Sequence, residues 1–330
     1  MSRKTKTIVF YRHLIAEAAH FAWRRKLLWI FGLFAGILST GSVLDITLRH
    51  FNRIERVGWT VDQMILGVFP EWDYAEIFRF SAGFLEPLHG RVLFGVMAVI
   101  FVIVIALSLR SQSVIITAAS NEHIVWKEAW EKSYEHLSDL LLLNVMWKLV
   151  QWILLLLTSL PLALVLLEAT VANATLYFGL FLLLFPLGII ANTIFNLAII
   201  EVARNRADAM HALHASVSLF KKHWLASLEL SIIVFVCSLI GWSVFLLAAA
   251  LFFIPSTILV TAALLSGLPF LFSFFTGFCI FAYFIGFSFF FGMMVLFQYA
   301  AWVRFHERAA NRILGKRIFG KLERVWGGSR

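Results

Sequence analysis

The chain has 330 residues, of which 61% are hydrophobic and only 14% are charged, and its formal net charge is +9. Soluble domains contain about 25% charged residues, so this composition excludes a water-soluble globular protein. In a soluble chain the positive charge would indicate a nucleic-acid partner. Here the positions of the basic residues explain the charge better, and we expect no nucleic acid as a partner.

The first 26 residues form a basic segment that precedes the first apolar run. In a helix, Phe10, Leu14, Ala18 and Phe21 would lie on one face, with charged side chains elsewhere. A basic helix with an apolar stripe lies in the membrane interface and is attracted by anionic lipids. We therefore expect residues 1–26 to be a cytoplasmic amphipathic segment that anchors the protein. Specific recognition of a lipid or a protein is the alternative.

Long apolar runs follow, each close to or longer than the roughly 20 helical residues that cross a bilayer. Spanning segments are helices or closed barrels, and runs that are apolar on every side indicate helices. The sequence therefore predicts an all-α, polytopic helical membrane protein with about six transmembrane helices and amphipathic interfacial helices. We expect one integral membrane domain, whose bundle occupies residues 27–303. The six runs are residues 27–44, 92–109, 149–167, 177–200, 230–254 and 271–303.

The distribution of lysine and arginine predicts the topology. Cytoplasmic loops carry an excess of these residues. Four segments hold 22 of the 28 basic residues: 1–26, 110–132, 204–222 and 304–330. With six spans, all four fall on one side of the membrane. We therefore predict a multi-pass protein of the cell inner (cytoplasmic) membrane, with both termini in the cytoplasm and residues 304–330 as a basic cytoplasmic tail.

Two further segments lie outside the bundle in this topology. Residues 47–91 form an external loop in which acidic and basic residues nearly balance and aromatic residues are interleaved. An interfacial connector is the favoured interpretation of this loop, and a binding surface is the alternative. Residues 257–268, between Pro255 and Pro269, are apolar but short. We expect them to form a surface or re-entrant piece, because an additional span would place the basic tail outside.

The chain contains a weak internal similarity. Two sequence patterns recur, each at the point where a span reaches the cytoplasm. They are Ile115-Ile116-x-x-Ala119-x-Asn121 followed by Ala129 and Ser133, and Ile199-Ile200-x-x-Ala203-x-Asn205 followed by Ala212 and Ser216. Both copies have the same orientation, as in the parallel repeats of some transporters. We interpret them as a possible internal repeat, and chance similarity in a biased composition is the alternative.

Small residues recur at four-residue spacing on the first and last spans. They are Gly32, Gly36 and Thr40 on the first, and the pairs Ala282 and Gly286 and Ser288 and Gly292 on the last. This spacing lets helix backbones approach closely. We predict helix packing within the monomer at these residues, and dimerisation is the alternative.

Polar side chains within spans are costly and often functional. Asn192 and Asn196 are one turn apart and share a face. Asn144, Lys148 and Gln151 share a face at the start of the third span, where Lys148 is expected to reach the cytoplasmic interface. For these five residues we predict interhelical contacts or, alternatively, a polar path through the bundle.

No catalytic or cofactor-binding pattern is present. The sequence contains no phosphate-binding glycine loop, metalloprotease helix motif or nucleophile elbow. Asp208, His211 and His214 have helical spacing, but a solvated helix face explains them better than a metal site. We therefore predict no enzyme activity, no cofactor and no metal.

Two features carry a resemblance to a known group. One is the stretch Trp-Arg-Arg-Lys-Leu-Leu-Trp-Ile-Phe-Gly-Leu-Phe-Ala at residues 23–35, and the other is the pair of cytoplasmic stretches that begin at Asn121 and Asn205. Together they resemble uncharacterised bacterial polytopic membrane proteins, which are similar to the membrane domain fused to some glycerophosphoryl diester phosphodiesterases. The catalytic barrel of those enzymes is absent from this sequence, so the resemblance implies no catalytic residue.

The sequence thus favours a non-enzymatic integral membrane protein that organises lipids or partner membrane proteins. The expected partners are membrane lipids, anionic at the cytoplasmic face, and a second membrane protein. The alternative is a small permease or channel subunit in which Asn192 and Asn196 form part of a path. A membrane-embedded enzyme is a third hypothesis, for which no catalytic group is identifiable.

Overall fold

The computed structural model describes residues 3–39, 88–121, 123–167, 170–265 and 267–310. Within these ranges the chain forms helices joined by short turns and contains no strand, so the predicted all-α fold is confirmed. The helices are α1 (Arg3–Arg24), α2 (Leu28–Ser39), α3 (Leu88–Ser120), α4 (Trp126–Lys132), α5 (Leu137–Leu167), α6 (Val171–Asn205), α7 (Ala209–Leu265) and α8 (Pro269–Ala310).

Five of these helices, α3 and α5 to α8, are long and apolar enough to cross a bilayer. The first predicted span, residues 27–44, corresponds to α2, which has 12 residues in the described part of the chain. Its last residues lie outside the described ranges, so the sixth span stays a prediction. Most of the predicted external loop also lies outside them, whereas residues 88–91 already belong to α3.

The prediction of a separate surface or re-entrant piece at residues 257–268 is wrong. Residues 257–265 continue α7, which runs through Pro255. The non-helical backbone inside α7 is instead at His223 (φ −129°, ψ 30°), where the helix kinks. An internal proline removes one backbone hydrogen bond but need not end a helix in a membrane protein. The turn between α7 and α8 contains Gly267, whose φ of +69° suits a glycine.

The six apolar helices form a ring. In order around the ring, the helices are α2, α3, α5, α6, α7 and α8, and each contacts the next. Helix α8 closes the ring by packing against α2. Helix α3 also contacts α6 and α8 across the ring. Each helix therefore presents one side to the centre of the bundle and another to its outside.

The segments that carry most of the described basic residues meet at one end of the bundle, which we call the polar end. Turns and helix ends are joined there by side-chain contacts. They include Arg25 to the Ile124 carbonyl, Asp139 to the Ala209 amide, and the ion pairs Glu135–Arg206, Glu201–His306 and Glu17–Arg308. The prediction that these segments share one side agrees with this arrangement. Which compartment the polar end faces stays a prediction.

Most of the buried residues lie in the half of the bundle nearest the polar end. On α8, residues 294–297 and 299–303 are buried, whereas the segment from Pro269 to Phe291 contains no buried residue. On α3, residues 91–103 are exposed on every face. An apolar helix exposed on all sides is compatible with lipid and not with water. We call the half of the bundle that lies away from the polar end the open half.

The amphipathic helix α1 packs against α8. Leu14, Ala18 and Phe21, three residues of the predicted apolar stripe, are buried, and so is Tyr11. The Tyr11 hydroxyl donates a hydrogen bond of 2.7 Å to the buried Glu229 carboxylate on α7. The apolar stripe is therefore covered by protein, whereas we had expected it to face the membrane interface.

The two similar sequence patterns have similar structural contexts. In the first, α3 is followed by the short α4 and then by α5. In the second, α6 is followed by the short first part of α7, the kink at His223 and the long second part. Ala129 and Ala212 are both fully buried, and Ser133 and Ser216 are nearly so. The order of the helices thus agrees with a parallel repeat.

Candidate functional site

A cavity of about 430 Å³ lies at the centre of the ring. All six apolar helices contribute to its wall, and its volume is in the usual range for small-molecule sites. The lining residues are Leu38, Gln112, Asn144, Trp147, Phe185, Ile189, Asn192, Asn196, Ile199, Ser231, Ile232, Val234, Phe235, Val236, Ser238, Trp242, Gln298, Tyr299 and Trp302.

The cavity lies between the helices, a few turns from their ends at the polar end. At 1.5 Å per residue, Gln112 is about 12 Å from the end of α3 at Ser120, and Asn196 is about 14 Å from the end of α6 at Asn205. The hydrocarbon core of a bilayer is about 30 Å thick. Polar groups that the bundle shields from bulk water must take their hydrogen bonds from protein, trapped water or a ligand.

A chain of hydrogen bonds forms one wall of the cavity. The Asn144 carboxamide on α5 donates to the Gln112 carboxamide oxygen on α3 over 2.9 Å. Gln112 in turn donates to the Tyr299 hydroxyl on α8 over 2.6 Å. All three side chains are buried. This chain ties three helices together and holds each polar group in one orientation.

Asn192 and Asn196 form a different part of the wall. Both line the cavity from α6, one helical turn apart, and both are half-buried. Within the described part of the chain, neither carboxamide makes a hydrogen bond to another group. Each carboxamide offers two N–H donors and one carbonyl acceptor. The site therefore presents four donors and two acceptors to whatever occupies the cavity.

Two interhelical hydrogen bonds fix the helices beside the asparagines. The Thr193 and Ser231 hydroxyls join α6 to α7 over 2.8 Å. The Gln298 carboxamide on α8 donates to the Ser238 hydroxyl on α7 over 3.0 Å. Because these bonds set the rotation of α6 and α8 relative to α7, they help to hold Asn192 and Asn196 toward the cavity.

The remainder of the wall is aromatic and aliphatic. Trp147 packs on Phe195, with ring centroids 5.3 Å apart, and Trp242 packs edge-to-face on Phe290 at 5.2 Å. These contacts hold the indoles in place, and their apolar faces suit an apolar part of a ligand. The wall therefore combines carboxamides and hydroxyls with a rigid apolar surface.

None of the residues that line the cavity is ionisable at neutral pH. A charged ligand would lose its hydration in the bundle without gaining a counter-charge, which costs several kcal/mol. The wall thus favours an uncharged ligand.

The cavity is closed on one side and open on another. Between it and the polar end, Ile116, Leu140, Ile200 and Val303 are almost completely buried, so packed side chains of the described residues lie on that side. In contrast, Ile232 lines the cavity although it is 55% exposed, so this part of the wall on α7 also forms the outer surface of the bundle. The cavity therefore reaches the outer surface of the bundle at α7.

Three of the five polar residues singled out from sequence, Asn144, Asn192 and Asn196, line the cavity. Lys148 is half-buried and Gln151 is buried, and both lie outside the cavity lining. Asn144 makes the predicted interhelical contact, through its hydrogen bond to Gln112.

The sequence reasoning missed several polar residues of the wall. They are Gln112, Ser231, Ser238, Gln298 and Tyr299. A signal for one was present, because Gln298 is a lone carboxamide inside the apolar run 271–303. Gln112 follows Arg110 and Ser111 just after the run 92–109, a position that resembles the beginning of a loop. Serine and tyrosine give no such signal, since both are common in spans for packing reasons.

The small residues fall into two groups. Gly32 on α2 contacts Gly292 on α8 backbone to backbone, and Gly36 lies against the Phe291 ring. These contacts are within the monomer. Gly286 has nothing within 4 Å of the position a Cβ would take, so it makes no close approach. Ala282 and Ser288 are half-buried, and Thr40 lies outside the described residues.

The described residues hold no group of three or more histidine, cysteine, aspartate or glutamate side chains that could bind a metal ion. The spaced residues Asp208, His211 and His214 are exposed, and a ring nitrogen of His214 instead lies 2.9 Å from the Met210 carbonyl oxygen.

The architecture and apolar helices define the class: a polytopic helical membrane protein with a polar cavity at the centre of its ring of helices. No protein-family model, curated protein or solved structure matches the chain. The resemblance to the membrane domain of glycerophosphoryl diester phosphodiesterases accordingly stays a prediction.

Proposed function

We propose that this chain is a non-enzymatic integral membrane protein that holds a lipid molecule in its central cavity. The single observation that carries the proposal is the pair Asn192 and Asn196, which offer hydrogen bonds to the cavity and make none within the described chain. Unsatisfied carboxamides at this depth cost free energy, and an occupant that bonds to them removes that cost.

The position of the opening supports a lipid over a solute from water. Ile232 and Val236 both line the cavity and are 55% and 44% exposed on α7. A molecule in the bilayer reaches the site from the side, whereas a molecule from the polar end meets a layer of buried residues. A ligand that is already in the membrane also avoids the loss of hydration that a soluble one would suffer.

The polar end supports a second kind of lipid contact. Eight basic side chains of the described residues are exposed there: Arg12, Arg24, Lys26, Lys127, Lys132, Arg206, Lys221 and Lys222. Basic residues next to a membrane attract anionic lipid at about 1 kcal/mol each. We therefore place the polar end at the cytoplasmic face of the inner membrane, where anionic headgroups surround it. A partner membrane protein would contact the open half.

The test is to purify the protein from its native membrane and to identify the lipids bound to it by mass spectrometry. We expect one lipid species that is enriched over the bulk membrane and retained through detergent washing. The variant N192L/N196L should lose this species. The matched control is Ser243→Leu, because Ser243 is exposed on α7, outside the cavity lining, and bonds to the Leu239 carbonyl.

An identical set of bound lipids in the unmodified protein, the N192L/N196L variant and the Ser243→Leu control would rule out the proposal. Lipids of the surrounding annulus do not depend on the cavity, so they serve as an internal reference in every sample. Retention of the enriched species in the Ser243→Leu control separates loss of the cavity site from general damage to the bundle.

A small permease or channel subunit is the second candidate function, favoured by the convergence of all six apolar helices on one polar cavity. The closed layer at the polar end would then open during transport. Flux of an uncharged solute into liposomes that contain the protein distinguishes the two. Flux that the N192L/N196L change abolishes in a folded protein would support the permease.

A further inference from the structure

We infer that the ligand of the cavity is an uncharged amphiphile, with hydroxyl, ester or amide groups at one end and an apolar chain at the other. This inference rests on the proposed function and adds the chemical class of the lipid. It is carried by three features of the wall: the absence of ionisable lining residues, the paired carboxamides, and the continuity of the cavity with an apolar surface.

The electrostatics exclude the common charged headgroups. A phosphate group bound beside Asn192 and Asn196 would be removed from water with no lysine, arginine or histidine among the lining residues to pair with it. The desolvation of an uncompensated charge in such surroundings costs more free energy than a few hydrogen bonds return. A hydroxyl or carbonyl group carries no such cost.

The hydrogen-bonding groups match a headgroup that both donates and accepts. Each asparagine provides donors and an acceptor, and together they span one helical turn, about 5 Å. Gln298 on α8 also lines the cavity, and its N–H group is bonded to the Ser238 hydroxyl. Two adjacent hydroxyl or ester oxygens would satisfy the asparagines at the same time, which a single water molecule would not.

The apolar chain has a continuous surface to follow. Phe185 on α6 and Trp242 on α7 line the cavity toward the open half, and Trp242 packs with Phe245, Phe287 and Phe290 beyond it. Past these residues the helices are exposed on their outer faces. A chain that runs from the carboxamides along these rings therefore passes from the cavity into the bilayer.

The test uses one reference probe and two probes that each differ from it in a single property, the charge or the apolar chains. Dioctanoylglycerol is uncharged and amphiphilic, dioctanoyl phosphatidate has the same chains with a phosphate, and glycerol lacks the chains. Binding to the full chain in detergent is measured by native mass spectrometry and by the shift in melting temperature. We expect one dioctanoylglycerol per chain, at least about tenfold weaker binding of the phosphatidate, and no binding of glycerol at the same concentration.

The variants tie the binding to the cavity. The N192L/N196L variant should bind dioctanoylglycerol at least about tenfold more weakly, because two neutral hydrogen-bonding groups are lost. The control Ser243→Leu should leave binding unchanged. If the double variant does not fold, Asn196→Leu alone is used, with a loss of about three- to tenfold.

Each contrary result has a distinct meaning. Phosphatidate that binds as tightly as dioctanoylglycerol would overturn the uncharged class, and glycerol that binds as tightly would overturn the amphiphile. Failure of dioctanoylglycerol to bind would also overturn the inference, even if an enriched native lipid still depends on the asparagines. If instead the retention of the enriched native lipid does not depend on Asn192 and Asn196, the proposed function itself is overturned.

Discussion

Gly32 on α2 and Gly292 on α8 pack backbone against backbone, so that a Cβ on Gly32 would lie 2.9 Å from the Gly292 Cα atom and closer still to its carbonyl group. A Cβ on Gly292 would likewise lie 2.9 Å from the Trp29 carbonyl carbon. Helix α8 also borders the cavity through Gln298, Tyr299 and Trp302. The close approach of α2 therefore helps to position one wall of the site.

The first prediction concerns this contact. Gly292→Leu should destabilise the protein by at least about 2 kcal/mol, because the added side chain meets backbone that cannot move aside without separating the helices. The melting temperature in detergent measures the effect. Gly32→Leu should behave in the same way.

The control for this prediction is on the same helix. Gly286→Leu adds the same side chain at a position with nothing within 4 Å, so it should leave the melting temperature nearly unchanged. Equal melting temperatures for Gly286→Leu and Gly292→Leu would show that α2 and α8 are not in contact at Gly292.

The second prediction concerns the hydrogen bond between Asn144 and Gln112. Asn144→Leu should destabilise the protein by about 1 kcal/mol, because it leaves the buried Gln112 oxygen without its donor. Membrane hydrogen bonds average about 0.6 kcal/mol, so the effect is modest. In a double-mutant cycle with Gln112→Leu, the two changes together should cost less than the sum of the single changes. Strict additivity would mean that the two side chains do not interact.

The third prediction concerns the docking of α1. Leu14 is completely buried, so Leu14→Ala should cost about 2–5 kcal/mol and should expose α1 to limited proteolysis. Trp23→Ala is the control, because Trp23 is 61% exposed on the same helix. Protection of α1 that is unchanged by Leu14→Ala would contradict the packing of this helix on α8.

The fourth prediction concerns sidedness. In a variant without the native Cys237 and Cys279, single cysteines replace Lys222, at the polar end, and Val171, at the turn before α6; both positions are exposed. A membrane-impermeant maleimide should label the first only in inside-out vesicles and the second only in right-side-out vesicles. Labelling of both from the same side would reject the proposed topology.

Much of the fold could be predicted from sequence because the relevant signals are local. Runs such as residues 177–200 and 230–254 are too long and too apolar for any structure but a membrane helix, whatever packs beside them. The apolar stripe of α1 was expected at the membrane interface but packs against α8, because a stripe does not show what covers it. The prediction for residues 257–268 was wrong because a proline does not always end a helix. Pro269 does begin α8, as a proline at a first helical turn can, whereas Pro255 lies inside α7.

The candidate site could be predicted only in part. Asn144, Asn192 and Asn196 were conspicuous as carboxamides in or beside apolar runs, and all three line the cavity. Their different roles were not predictable, because a hydrogen bond between helices depends on the rotation of each helix and on what its neighbour presents. Only the tertiary structure gives Asn144 a partner in Gln112 and leaves Asn192 and Asn196 facing the cavity.

By itself, the sequence determined that this is a helical membrane protein and that its basic segments lie together, since both follow from the transfer of side chains between water and lipid. The tertiary structure decided where space is left between the helices. Gly32 lets α2 approach α8 at Gly292, whereas the bulky Trp147 and Trp242 line the cavity that contains the asparagines. A cavity is a property of how helices fit together, and no single helix encodes it.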